Sequence, residues 1–152
     1  MSSILFVCSG NVCRSPMAAG LMRKKLTNEH LESQHRVFSA GIWALDGNPA
    51  SENACAVMAE RNIDILDHIA HTITANDIAE ADLILVMSQE HATALRHTWP
   101  QYDWKVHRLA EMSGRRKDIN DPYGRPIDAY RECAGIISDF IDRGFARILT
   151  LL

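Results

Sequence analysis

The run Leu83-Ile84-Leu85-Val86-Met87 leaves a folding chain few options. Alternate side chains of an extended strand point to opposite faces, so an unbroken apolar run has two hydrophobic faces and both must be covered. That is the pattern of a strand inside a parallel sheet with helices on either side. Three more β-rich runs fit the same sheet: Ile4-Leu5-Phe6-Val7, then Arg36-Val37-Phe38-Ser39-Ala40 stopped by Gly41, and Lys105-Val106-His107-Arg108-Leu109. Between them lie stretches with apolar residues at helical spacing. Met17, Leu21, Met22 and Leu26 predict a helix from Pro16 to about Leu31, with Ser15-Pro16 as cap and first turn. Ala54, Val57 and Met58 predict one over 51–61, another is expected over 89–97, and Tyr130, Ala134, Ile137 and Ile141 predict a last one from Ile127 to about Arg143. Strands alternating with helices, with no internal repeat, describe one α/β domain over residues 1–152.

Size and charge exclude several functions. A chain of 152 residues, 47% hydrophobic, can bury a core without disulfide staples. No stretch nears the 18 or so apolar residues of a membrane span, and Met-Ser-Ser before the first apolar run lacks a basic leader, so a cytoplasmic protein is expected. A formal net charge of -3, with basic residues spread along the chain, lacks the footprint of a general nucleic-acid binder. In that compartment Cys8, Cys13, Cys55 and Cys133 are expected to be reduced, with Cys55 and Cys133 as small hydrophobes in helical patterns. A zinc site of Cys8, Cys13, His68 and His71 is conceivable, but its spacing matches no usual zinc ribbon or finger.

Parallel sheets bind ligands beyond the carboxyl ends of their strands. Two segments end up there: the loop after the first strand, and the long polar stretch Ser113–Pro126, which carries Asp121-Pro122-Tyr123-Gly124. The first reads Cys8-Ser9-Gly10-Asn11-Val12-Cys13-Arg14-Ser15-Pro16. Between a strand and a helix N-terminus, consecutive N–H groups can turn inward on an anion, helped by the helix dipole. Gly10 and Asn11 tolerate the left-handed backbone such a loop needs, and Arg14 offers a planar fork for two phosphate oxygens. The same positive field favours the thiolate of Cys8, which can attack phosphorus and form a phosphocysteine. A leaving oxygen then needs a proton and the intermediate an activated water. Asp121 is the candidate acid and base, Pro122 stiffens its turn, and Tyr123 offers a flat face to an aromatic substrate. Read alone, Asp-Pro-x-Gly is also an ordinary β-turn.

The order of these motifs, with Ser39-Ala40-Gly41 and Asp82-Leu83-Ile84-Leu85-Val86-Met87 between them, resembles the low-molecular-weight protein tyrosine phosphatase family over essentially the whole chain. The resemblance implies a flavodoxin-like, four-stranded parallel sheet flanked by helices, no metal and no cofactor, and a phosphorylated protein as substrate. It implies Cys8 as nucleophile, Arg14 as clamp, Asp121 as general acid then base, and Ser15 as hydrogen-bond donor to the sulfur. Ser9, Gly10, Asn11, Val12, Cys13, Arg14 and Ser15 would form the phosphate loop, held by a network of Asn11, Ser39 and His68, although His68 could equally be a surface histidine. Tyr123 would be one wall of the cleft and Trp43 or Leu45 the other, with Trp99 and Trp104 as packing residues. Gly124 stands where many relatives carry a second aromatic or a polar residue.

Three other activities share parts of this pattern. Thioredoxin-linked arsenate reductases need two further cysteines after the third strand, and residues 88–98 contain none. Arginine phosphatases resemble the chain closely but favour threonine where Val12 stands. A silent phosphoprotein-binding module would have no use for Cys8, Arg14 and Asp121 together. Finally, two thiols five residues apart on one loop, Cys8 and Cys13, are the arrangement of a reversible redox sensor, unless Cys13 only packs beneath the loop.

Overall fold

In the computed structural model, which describes residues 1–152, four strands pair in parallel: β1 (Ser2–Cys8), β2 (His35–Gly41), β3 (Leu83–Val86) and β4 (Val106–Arg108). Their order is β2-β1-β3-β4, with Val7 opposite Ala40 on one side and Val86 on the other. Side-chain alternation sorts the core into two layers. Ile4, Phe6, Leu83 and Leu85 face α1 (Arg14–Asn28), α2 (Glu52–Glu60) and α5 (Ile127–Thr150), meeting Met17, Met22, Met58, Ile137 and Ile141. Leu5, Val7, Ile84 and Val86 face the other way, onto Ile78 of α3 (Ala75–Glu80) and Ala92 and Leu95 of α4 (Gln89–Thr98). Each large side chain buried in this way contributes about 1.5–3 kcal/mol relative to exposure.

The expected elements form, with shifted ends. β3 is shorter than its apolar run. Met87 falls outside it, although its N–H still donates to the Val7 carbonyl at 3.2 Å. Ser15 is not a cap: α1 begins two residues earlier than expected, at Arg14, its cap position is Cys13 without a side-chain bond, and it ends at Asn28 rather than Leu31. α5 runs seven residues past Arg143, through Gly144. A Cβ there would come within 2.5 Å of Met112 Cβ, so this glycine admits a close neighbour and does not stop the helix. Helix α3 and the 3-10 turns Pro100–Lys105 and Leu109–Ser113 were not expected. Trp99 packs against the second layer, whereas Trp104 lies exposed.

From β1 the chain moves outward to β2, then crosses back to place β3 on the other side of β1. Loops leaving the carboxyl ends of β1 and β3 diverge at that switch and open a crevice. Cys8 is the last residue of β1, and Ile119 of the long polar segment crosses the end of β3, its N–H donating to the Met87 carbonyl at 2.9 Å.

Candidate active site

The loop from Cys8 to Arg14 turns its carbonyls outward. Cys8 O accepts from Ile42 N (3.0 Å), Ser9 O from Trp43 N (2.9 Å), Val12 O from Ser51 N (2.8 Å) and Cys13 O from Met17 N (3.2 Å), while Asn11 O accepts from His68 Nε2 (2.6 Å). None of the N–H groups of residues 9–13 donates to the protein. A row of unpaired amides beside a helix N-terminus is an anion cradle. The neighbouring strand end must come very close to hold it. A Cβ at Gly41 would lie 2.7 Å from Ser9 O and 3.0 Å from Asn11 Cβ, so only glycine fits.

Asn11 supplies the left-handed residue, at φ 58°, and Gly10 does not share it. Gly10 lines the cleft, where its missing side chain leaves room. Asn11 is fully buried and spends every polar atom on the loop: Nδ2 donates to Ser15 Oγ (2.8 Å) and Ser39 Oγ (3.0 Å), and Oδ1 accepts from His71 N (3.1 Å). Because Ser15 Oγ accepts from Asn11, its own proton is free for Cys8 Sγ, 2.9 Å away. The expected Asn11–Ser39–His68 network is therefore present. Burial lowers the pKa of His68, in keeping with a neutral ring whose Nε2–H serves Asn11. Asn11 and Ser15 support the cradle from behind; Cys8, Ser9, Gly10, Val12, Cys13 and Arg14 line the cleft itself.

Arg14 is 5% exposed and anchored from below, with Nη1 donating to the Ile119 carbonyl at 2.9 Å. Its Nη2 lies 3.3 Å from Ser9 Oγ and 3.4 Å from Asp121 Oδ2, and its buried Nε has no partner. Asp121 Oδ1 accepts the Tyr123 N–H at 3.1 Å, Arg125 N donates to Pro122 O at 3.0 Å, and Gly124 sits at φ 78°. The segment is thus a turn, and the turn is what aims Asp121 at the cleft. A volume of about 280 Å³ opens above Cys8, walled by Tyr123 on one side and both Trp43 and Leu45 on the other, all three largely exposed.

His91 was not anticipated. It is buried at the start of α4, with Nδ1 3.0 Å from Ser88 Oγ and Nε2 2.9 Å from Ser9 Oγ. Burial, then the charge of Arg14, pulls its pKa down to about 4 against the opposing pull of Asp118 and Asp121. A neutral ring satisfies all contacts when Ser88 Oγ, which accepts the His91 N–H, donates to Nδ1, and Nε2–H donates to Ser9. The helix-start spacing Ser88-x-x-His91 carries a trace of this, but nothing in the sequence marks the carbonyl of Ile119. His71 Nε2–H donates to Asp77 Oδ2 at 3.1 Å, so neither it nor His68 turns toward the two loop thiols.

All four cysteines are free. Cys13 Sγ donates to Ser51 Oγ at 3.3 Å and burial pushes its thiol up; burial also pushes Cys133 up to about 12. Cys55 is only half buried, less enclosed than its helical pattern implied.

What this cleft can do is press a tetrahedral oxyanion against a sulfur nucleophile, which is the work of a cysteine-dependent phosphatase. Comparison with known proteins narrows the class. Residues 3–148 match the family described as low molecular weight phosphotyrosine protein phosphatase, and the chain belongs to that family. It is 40% identical over 151 residues to the probable low molecular weight protein-tyrosine-phosphatase EpsP of Ralstonia nicotianae, covering 99% of each chain. A protein-arginine-phosphatase of Geobacillus stearothermophilus is 38% identical over 141 residues, covering 92% of this chain and 91% of its own. The crystal structure of a low molecular weight protein tyrosine phosphatase from T. tengcongensis superposes with a TM-score of 0.91 at 37% identity, over 97% of this chain and 99% of that one.

Proposed function

We propose that the protein hydrolyses phosphotyrosine in phosphorylated proteins through a phosphocysteine on Cys8. One observation carries the reading: the buried, unpartnered Arg14 Nε and the unpaired amides of residues 9–13 surround the mouth above the Cys8 sulfur. A phosphate monoester fills those donors. The Cys8 thiolate attacks phosphorus as the P–O bond to the phenol breaks, and Asp121 gives its proton to the departing oxygen. Asp121, now a carboxylate, takes a proton from water as that water attacks phosphorus; the S–P bond breaks and inorganic phosphate leaves with Cys8 restored. Ser15 Oγ–H stabilises the thiolate in both halves.

Tyr123, Trp43 and Leu45 flank the cleft as flat or apolar walls suited to a phenyl ring, and Val12 adds an aliphatic lining without a hydroxyl. The relatives named arginine phosphatases favour a second reading, phosphoarginine hydrolysis. Steady-state kinetics on matched phosphotyrosine and phosphoarginine peptides decide between them. Tyrosine peptides are expected to be better substrates, and Val12→Thr to shift preference toward phosphoarginine. A tenfold wild-type advantage for phosphoarginine in kcat/KM, about 1.4 kcal/mol in transition-state binding, overturns the tyrosine assignment.

The reaction needs a reduced thiol, which fits a cytoplasmic enzyme. No helix is long and apolar enough to cross a membrane. Peroxide should inactivate the enzyme through a Cys8–Cys13 disulfide that dithiothreitol reopens; recovery no worse in Cys13→Ala would assign Cys13 to packing alone.

A further inference from the structure

The cleft accounts for a phosphoryl group and a ring, but not for the charges on the segment that carries Asp121. Most cationic side chains of the protein are engaged. Lys25, Arg36, Arg96, Arg108, Arg131 and Arg143 each pair with a carboxylate, and Arg23, Lys24 and Lys105 donate to main-chain carbonyls. Arg14 serves the site. Only Arg61, Arg115, Arg116, Lys117, Arg125 and Arg147 have neither an ion pair nor a side-chain hydrogen bond to the protein. Four of these six lie within residues 114–126, all exposed.

Carboxylates nearby form no ion pair with them, Glu132 beside Arg125 on one small pocket and Glu90 next to Gln89 included. Asp118 is spent on Arg108 and on the Gln89 N–H (2.9 Å), Asp121 on Arg14 and Tyr123, and Asp128 on Arg131. The charges are also close to the reaction. Lys117 is two residues from Ile119, whose carbonyl holds Arg14, so its backbone lies within about 7 Å of that anchor; Arg115 lies within about 14 Å, as does Arg125 of Asp121. An extended peptide advances about 3.3 Å per residue, so these upper limits equal at most about two to four residues of a peptide that runs past Ile119 and Asp121. The opposite wall offers no such charge. Trp43 and Leu45 are apolar, and Asp46 is tied to Thr72.

We propose that Arg115, Arg116, Lys117 and Arg125 form a docking rim for acidic residues flanking the phosphorylated side chain of a substrate protein. This rests on the phosphatase reading and names the kind of sequence it acts on. Each exposed pair contributes little to affinity alone. Together they steer an acidic segment toward the cleft, an effect that enters through association rate and fades as salt shortens the range of charge interactions below about 8–10 Å. A nucleic acid or anionic membrane fits less well, because the uncompensated charge is confined to one short segment of a chain with net charge -3.

Three phosphotyrosine peptides with identical cores and acidic, neutral or lysine flanks test this, beside an aryl phosphate that has no flanks. In wild type at about 0.05 M salt, kcat/KM should favour acidic over lysine flanks by about tenfold, mostly through KM, and the gap should close to about two- or threefold near 0.5 M salt. The combined change Arg115→Glu, Arg116→Glu, Lys117→Glu should reverse the preference while leaving the aryl phosphate within about twofold of wild type. Arg125→Glu alone should shrink it. Flank-independent kinetics in wild type overturn the proposal whether or not the triple variant folds. So does preferential binding of duplex DNA or anionic vesicles over the acidic peptide at the same salt. A wild type inert toward the aryl phosphate would instead overturn the phosphatase reading beneath it.

Discussion

Residues 8–15 and residues 114–126 meet at the same cleft, yet one is bonded on nearly every side and the other hangs from a few contacts. In the first, the carbonyls of Cys8, Ser9, Asn11, Val12 and Cys13 are all occupied, and Asn11 and Ser15 are sealed from solvent. In the second, Ile119 and Pro122 are buried while nearly everything between Gly114 and Pro126 is exposed. The difference follows the chemistry that the proposed mechanism asks of each. An oxyanion cradle works only if its donors are already in place when charge develops. A proton donor must admit a substrate, meet its leaving oxygen and let the product out, which a lightly tethered segment allows.

Disabling one atom in each loop should break the comparison in opposite ways. The largest effect is expected for Cys8→Ser, where kcat on an aryl phosphate should fall at least 100-fold, about 2.7 kcal/mol or more, while affinity for inorganic phosphate survives because the cradle is main chain. Residual turnover above about 1% would remove Cys8 from the nucleophile's role. Asp121→Asn comes next. Loss of the proton should cost on the order of 10² in kcat for alkyl phosphates and clearly less for activated aryl phosphates, with stability changed by no more than about 0.5 kcal/mol because the side chain is nearly half exposed. Equal losses on both substrates would exclude it as the acid.

Asn11→Ala should do the reverse, acting first on stability. It removes three buried hydrogen bonds and puts alanine at φ 58°, for an expected loss of about 2–4 kcal/mol in urea unfolding, with activity falling as the cradle loosens. An unchanged midpoint would mean the loop is not held from behind. The effect smallest near neutral pH is the pH dependence set by His91. Its folded pKa of about 4 lies below the unfolded value near 6.5, so the unfolded chain binds the extra proton first. That contribution, at most about 3 kcal/mol, is complete above pH 6.5 and lost as pH falls toward 4. Urea midpoints between those limits should slope less in His91→Gln than in wild type. Burial depresses His68 in the same direction, so an equal slope in both proteins would assign the dependence elsewhere.

The same division governs what could be read from the sequence. The rigid loop was legible because its residues are chemically unusual in series: a thiol ending an apolar strand, then glycine, asparagine and arginine at fixed spacing. Asp121 and Tyr123 were legible through the turn that presents them. His91 was not, since one histidine in an amphipathic helix looks like any other until Ser9 is found 2.9 Å away. Helix α3 escaped because six residues with only Ile78 buried give no period, although Thr74 and Asp77 form a capping box that could have marked its start. Ser15 was misassigned as a cap because it obeys the local rule for a helix start, whereas its hydroxyl is committed to the sulfur of Cys8.

The anchor of Arg14 on Ile119 also sets a time. Their separation is 105 residues, and a ribosome adding about 5–20 residues per second takes about 5–20 s to cover it. A growing chain makes its thiol early, but until residue 119 is made the arginine has only Ser9 Oγ to fix its direction, and the carboxyl group at 121 comes later still. On the proposed mechanism an unfinished chain carries its nucleophile without an anchored clamp, and fragments that end before residue 119 carry the thiol without the contact that directs Arg14.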